Sequence, residues 1–529
     1  MKMKKAFIII IFAALVSMPL NAFSQNSIHG MVYEDLNGNG IKDSNEKGVA
    51  GVPVSNGSRV ELTDSSGKYE IGTNEDNIVF VIKPSGYALR CNEHHQPEFY
   101  YIHKRNGSPE LKFKGLPATG DLPQSVDFPL IPKPYTENFR ILVFGDPQPY
   151  TLEEMNFFRQ AVVSELLEAK GVAFGISLGD LVGDDLDLFS PYKEVVGQIG
   201  VPWHNVIGNH DINYDAGEDR YSDETFERQF GPANYSFNYG MVHFIILDDI
   251  LYPDPLDGEG YRGGLREDQF EFIENDLKFV PPEHLIVLAF HIPLRNEGHY
   301  ESFRNEDRKR LFRLLKDYPH TLSLSAHTHY QRQDFFTAED GWLRDKPHHQ
   351  YNVGTTSGDW YRGKPDKNGI PDATMRDGTP RGYAFLSFEK NQYVMDFKVA
   401  GEPEDYRMRI HAPKIVRQAK NTTAAVLVNF FAGGELDTLY CAVDNGEWKE
   451  MYRYGTMDPV YYHKVLEWDF TSIPLEGKRP SFPVECDHLW YWRLPSDLPE
   501  GEHAITLKAV DMFGRTFIQE SGYKIVNEQ

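Results

Sequence analysis

The sequence predicts an α/β domain flanked on each side by a β-sandwich, and three observations carry that expectation. Between Asn138 and Val399, short apolar runs alternate with polar loops and with stretches whose apolar residues fall at helical spacing. From about Ser27 to Pro134, β-like runs are separated by Gly, Asn, Asp and Ser turns with no helical period. After Val399 strand-like segments dominate again. At 529 residues the chain is too long for one core, so three units suit its length.

Residues 1–24 read as a secretory signal. Lys2, Lys4 and Lys5 precede an apolar run from Ala6 to Leu20, and Ala22-Phe23-Ser24 suits cleavage before Gln25. The run is shorter than the roughly 18 to 20 residues that spanning requires, which argues against a membrane anchor. The segment has no cysteine to carry a lipid, and no later run is long enough to span. A secreted, periplasmic product is expected.

Residues 25–134 form the first β-sandwich, with runs such as Gly51 to Val54 and Asn77 to Ile82. Leu130-Ile131-Pro132-Lys133-Pro134 reads as a stiff linker. In the central domain, 138–399, Phe139 to Phe144, Val172 to Leu178, Val201 to Ile207, Met241 to Leu247, Leu285 to Phe290 and Thr321 to Leu324 read as strands, and Glu153 to Glu168 as a helix. Residues 400–529 form a C-terminal β-rich domain, where Leu498 to Asp511 has the alternation of a sandwich edge hairpin. Cys441 and Cys486 either pair within it or stay buried thiols; with Cys91 they are the only cysteines, which excludes a disulfide scaffold.

Composition narrows function. With 40% hydrophobic and 25% charged residues, neither disorder nor a multi-span membrane protein fits. A net charge of −24, without a basic stripe, argues against nucleic acid and anionic membranes as partners. A small anionic substrate remains compatible, because bound cations make a site locally positive within an acidic protein.

The chemistry concentrates at strand ends, where open α/β sheets place ligands. In chain order these ends carry Asp146 and Gln148, then Asp180, then Asn209-His210-Asp211, then His291, then His327-Thr328-His329. Each residue alone has a dull reading as a cap or a satisfied polar group. Capping does not demand this succession. Carboxylates, amide oxygens and imidazoles without thiolates describe a site for a borderline-to-hard divalent metal.

These motifs resemble the calcineurin-like metallophosphoesterases, whose D-x-H, G-D, G-N-H-[DE], lone His and G-H-x-H recur here in that order over roughly Asn138 to Val399. The resemblance implies an αββα sandwich and two divalent ions of Mn, Fe or Zn type. Asp146, Gln148, Asp180 and His329 would hold one, and Asp180, Asn209, His291 and His327 the other. It implies direct hydrolysis of a phosphoester by a metal-bridging hydroxide, with His210 as general acid or charge stabiliser; Asp184 or Asp185 is a candidate to orient His210, at a spacing from Asp180 that departs from the aspartate of related phosphatases. Two positions depart from the commonest pattern: Gln148 stands where many members have His, and Ala326 replaces the Gly before H-x-H. A phosphomonoester is slightly favoured as substrate. The alternatives are a phosphodiesterase on small or lipid-headgroup diesters, or a non-catalytic calcium-stabilised surface binding protein.

Two further segments are singled out. Gly354 to Gly363 combines turns with Trp360, Tyr361 and Arg362, which either contact substrate or anchor a packed loop. Asp377-Gly378-Thr379-Pro380 beside it makes a turn. Asp35 to Glu46 fits the calcium-loop template D-x-[DN]-x-[DN]-G-x5-E, with ligands from Asp35, Asn37, Asn39, the Ile41 carbonyl, Asp43 and Glu46, so a structural Ca2+ is expected there.

Overall fold

A computed structural model of the protein describes residues 26–167, 170–296, 298 and 300–527. The signal segment, 1–24, lies outside them. Among the described residues no helix is long and apolar enough to cross a membrane.

The N-terminal region is two four-stranded sheets face to face. Alternation builds it: in Lys68-Tyr69-Glu70-Ile71-Gly72-Thr73 every second side chain is buried. The expected linker is corrected here. Phe128–Pro132 is a strand that pairs in parallel with Asn26–Glu34, because Phe128 and Leu130 are needed in the sandwich core. This core is continuous with the central one. Phe80 meets Phe272 edge-on at 5.7 Å, and Phe99 lies 4.9 Å from Tyr235.

The central region supplies strands β1 (Asn138–Phe144), β2 (Val172–Leu178), β3 (Trp203–Val206), β4 (Tyr235–Tyr239), β5 (Val242–Ile246), β6 (Leu285–Ala289), β7 (His320–Ser325), β8 (Arg332–Phe336), β9 (His348–Asn352), β10 (Gly382–Glu389) and β11 (Gln392–Val399). They form a five-stranded sheet ordered β3-β2-β1-β10-β11 and a six-stranded sheet ordered β4-β5-β6-β7-β9-β8. Helices Leu152–Ala161 and Phe189–Gly197, and Glu267–Leu277 and Asn305–Leu314, are the longer ones between strands. Within the sheets β1, β2 and β3 run parallel, as do β5, β6, β7 and β9, so the carboxyl ends within each set lie along one edge. All five residues of β6 are buried, which is why its sequence is a continuous apolar run.

The C-terminal region is a second pair of sheets around Val426, Val428, Leu439, Ile505, Leu507 and Ile525. One expectation is corrected here, and one left open is settled. Gly501–Val510 is the middle strand of a five-stranded sheet, not an edge, because Thr438–Val443 pairs along its other side. Cys441 and Cys486 are free; the Cys486 sulfur lies 3.4 Å from His488 Nδ1 instead. A helix at Pro459–Phe470, absent from the sequence reading, starts at Asp458, whose Oδ1 accepts from Val460 N and Tyr461 N. Its aromatic residues blur any apolar stripe, but the Asp-Pro start is a legible cap.

Candidate active site

The site is assembled from strand-end loops whose backbone is bent to aim side chains inward. Asp146, Gln148, Asp180, His327 and His329 all have positive φ, between +35° and +70°. Non-glycine residues enter that region at a cost of order 1–3 kcal/mol each, and such strain gathers at functional sites. Two glycines make the close approaches possible. A Cβ on Gly179 would lie 2.4 Å from His291 Nδ1, and one on Gly208 would lie 2.1 Å from Asp180 N.

After β1, both Asp146 oxygens accept from His327 N, at 3.2 and 3.0 Å, joining the first loop to the last. After β2, Asp180 accepts from His210 N at 2.9 Å and from Gln148 Nε2 at 3.2 Å. After β3, Asp211 receives the amides of Gly208, Leu181 and Val182 and so locks two loops together. After β5, Asp249 receives the amides of His291 and Ile292. Asp211, named in the strand-end motif without a role, and Asp249 are positioning residues; the sequence reading did not single out Asp249, which could have been found from its place just beyond a buried strand.

The imidazoles are held from behind. His291 Nδ1 lies 2.7 Å from Leu178 O and His329 Nδ1 lies 2.7 Å from Gly358 O, so each Nδ1–H donates to a carbonyl and leaves the Nε2 lone pair free. Around His291 Nε2 stand Asn209 Oδ1 and His327 Nδ1 at 3.1 Å, Asp180 Oδ1 at 3.3 Å and Asp146 Oδ1 at 3.9 Å. Oxygen and nitrogen lone pairs thus crowd an Nε2 that carries no hydrogen for them, an arrangement that one cation satisfies. Asp180, His291 and His327 offer ligand atoms that all lie within 4.8 Å of one another, and Gln148 Oε1 is buried with no hydrogen-bond partner among the described residues. The donor set therefore fits a divalent metal.

Electrostatics point the same way. Burial pushes Asp146 up to about 8, and the neighbouring Asp180 adds to the shift. Burial also lowers His291, but Asp180 and Asp146 outweigh it and raise the imidazole to about 10. His291 and His210 hold Asp180 below the usual carboxylate range despite its burial, so it is Asp146 that is left short of positive charge, which a cation would supply.

At the rim, His210 Nδ1 lies 2.7 Å from Asp184 Oδ1. Asp185 instead receives the amide of Asp187, so of the two candidates only Asp184 reaches His210. Burial disfavours the charged imidazole, yet Asp180 and Asp184 raise it to about 9. The cleft has a volume of about 460 Å³ and is walled in part by Tyr261, Arg295, Trp360 and Arg376.

Of the three loop residues considered for substrate contact, only Trp360 faces this cleft, its ring stacked on His329 at 3.8 Å. Tyr361 is buried and donates to Pro147 O, and Arg362 lines a separate cavity beside Lys464. Successive positive φ values at Trp360 and Tyr361 rotate the backbone away from the cleft after Trp360.

In the loop of residues 35–46, Asp35 receives the amides of Gly38, Asn39 and Gly40, and Glu46 those of Leu36 and Asp43. The side-chain amides of Asn37 and Asn39 meet Asp43 Oδ2, and Ile41 N donates to Asn39 Oδ1.

Residues 139–331 match the calcineurin-like phosphoesterase model, 36–117 the N-terminal region of such proteins, and 350–517 their C-terminal region. The chain belongs to the calcineurin-like phosphoesterases. As a member of that family it is a metal-dependent hydrolase of phosphoesters. No curated protein matches it. Among solved structures, this phosphoesterase is 13% identical to a purple acid phosphatase from yellow lupin (Lupinus luteus) seeds, with a TM-score of 0.36 over 67% of this chain and 69% of that one. It is 11% identical to Vps29 of Chaetomium thermophilum, with a TM-score of 0.19 over 73% of this chain and 98% of that one.

Proposed function

We propose that the protein is a dinuclear metal-dependent phosphatase that prefers phosphomonoesters and hydrolyses them by direct attack of water. The observation that carries this reading is the convergence of Asp146, Gln148, Asp180, Asn209, His291, His327 and His329 beneath a cleft whose rim holds His210. Asp146, Gln148, Asp180 and His329 would hold one ion, and Asp180, Asn209, His291 and His327 the other, with Asp180 shared. Divalent ions of Mn, Fe or Zn type bound there would lower the pKa of a water and polarise the phosphate oxygens.

The chain's own residues do the rest. Leu178 O and Gly358 O orient the two imidazoles, and the Asp249 carboxylate fixes the backbone that carries His291. His210, kept protonated by Asp180 and Asp184, donates its proton to the leaving-group oxygen. We also read the protein as exported, and the loop of residues 35–46 as a structural Ca2+ site that stiffens the N-terminal region.

The test is an assay of the mature protein with and without added Mn2+. Its substrates are p-nitrophenyl phosphate, bis-p-nitrophenyl phosphate and a lipid-headgroup panel, with His210→Ala and Asp180→Ala alongside. Mn2+-dependent monoester hydrolysis lost in both variants is expected. A protein that binds no metal and is as inactive as its variants would sink the reading, and preference for the diester would move it to phosphodiesterase.

A further inference from the structure

We propose that Arg376 is the residue that binds the substrate's phosphoryl oxygens and gives the cleft its preference for a doubly charged monoester; this rests on the monoester reading above. Arg376 lines the same cleft as Gln148, Asp180, His327 and His329. Two arginines line it, and their circumstances differ. Arg295 is committed elsewhere, with Nε 3.0 Å from Asp334 Oδ1 and Nη1 3.1 Å from Asp340 Oδ1. Arg376 gives only its Nε, to Phe482 O at 3.2 Å, and pairs with no carboxylate among the described residues. A guanidinium placed in a concave site with its terminal nitrogens uncommitted presents a planar fork that matches phosphate oxygens.

Its placement is rigid. Arg376 N donates to His329 O at 3.4 Å, so the residue is tied directly to the loop that carries the last expected metal ligand. It sits in a tight turn in which Met375 N donates to Thr379 O and Gly378 N to Met375 O. Gly378, at φ +86°, could not be replaced, because a Cβ there would lie 2.3 Å from Asp458 Cβ. The buried Asp377 carboxylate receives Gln331 N at 2.8 Å and lies 2.9 Å from His488 Nε2.

The remaining anchors come from the C-terminal region. Asn429 Nδ2 donates to Asp377 O, Arg409 Nη1 to Gly378 O and Val484 N to Arg376 O. That region therefore completes the substrate site by clamping the turn. A pre-set guanidinium loses little freedom on binding, and it favours a dianionic phosphate over a monoanionic diester by simple charge.

The experiment compares the wild-type full chain loaded with Mn2+ with Arg376→Ala and Arg376→Lys. Both esters are used as substrates, inorganic phosphate as inhibitor, and bound Mn2+ is measured. For Arg376→Ala, KM for p-nitrophenyl phosphate and the phosphate inhibition constant should rise about 10- to 100-fold, the diester kcat/KM should fall clearly less than the monoester kcat/KM, and bound Mn2+ should be unchanged. Arg376→Lys should recover part of the loss. Equal loss on both esters, unchanged phosphate inhibition, or lost Mn2+ would each overturn the proposal. A wild-type preference for the diester would instead overturn the monoester reading, and phosphate inhibition alone would then decide whether Arg376 binds phosphate.

Discussion

His210 Nδ1 lies 2.7 Å from Asp184 Oδ1, and this contact ties an imidazole at the mouth of the cleft to a half-exposed carboxylate. Asp180 and Asp184 raise His210 to about 9, so its acid form persists through neutral pH and is lost as pH rises through that value. Asp184→Asn removes one raising influence. The alkaline limb of kcat/KM should move to lower pH while bound metal stays constant; an unmoved limb argues that His210 is not the acid.

Gln148 contacts Asp180 Oδ2 through Nε2 and leaves Oε1 buried and without a hydrogen-bond partner among the described residues. If that oxygen is a ligand, Gln148→Ala should lower metal affinity about 10- to 100-fold, the scale of a lost metal-site contact. Titration with Mn2+, read by recovered activity and by calorimetry, checks this. Equal affinity would place Gln148 outside the coordination sphere.

The ring of Trp360 stacks on His329 with centroids 3.8 Å apart. Such a pair contributes about 0.5–1.5 kcal/mol beyond area, so Trp360→Ala should weaken metal retention by about two- to tenfold. Trp360→Phe should restore most of it. Dialysis against graded chelator, followed by metal analysis, reads the difference.

His488 and Asp377 are both buried and lie 2.9 Å apart across the contact between the C-terminal and central regions. Burial opposes the imidazolium, but the Cys486 sulfur and the Asp377 carboxylate hold His488 well above the usual histidine range. With the folded pKa raised, the stabilisation is complete below the unfolded value of about 6.5 and fades as pH rises through the folded one. His488→Ala leaves Asp377 buried without that partner and should cost about 3–5 kcal/mol, read from urea midpoints at pH 6.

Asp35 and Glu46 are buried in the calcium-type loop, where backbone amides already meet their carboxylates. A bound Ca2+ should raise the melting temperature of the wild-type protein in a concentration-dependent way. Asp43→Ala should abolish that response without changing activity at saturating Mn2+. A melting temperature indifferent to Ca2+ would remove the ion from the account.

Much of the catalytic framework was legible in one dimension. Strand ends at Asp146, Asp180, Asn209, His291 and His327 could be read because buried parallel strands are largely apolar, so the cluster of polar and Gly residues that follows each marks its carboxyl end. Less of the surroundings was legible. Tyr361 and Arg362 looked equivalent to Trp360, yet they turn into the interior and towards another cavity. Leu130 to Pro134 looked like a linker because of its two prolines, yet Leu130, Ile131 and Pro132 belong to the sandwich strand Phe128–Pro132.

The sequence by itself determined the order of chemical groups, the three-part layout and the family, since each depends on local spacing and composition. The tertiary structure decided which aspartate meets His210, which loop residue faces the cleft and where Arg376 is held. Those are contacts between residues such as Asp377 and His488, far apart in the chain and joined only when two separately patterned regions pack together. No local period records a contact whose partners lie in different sheets.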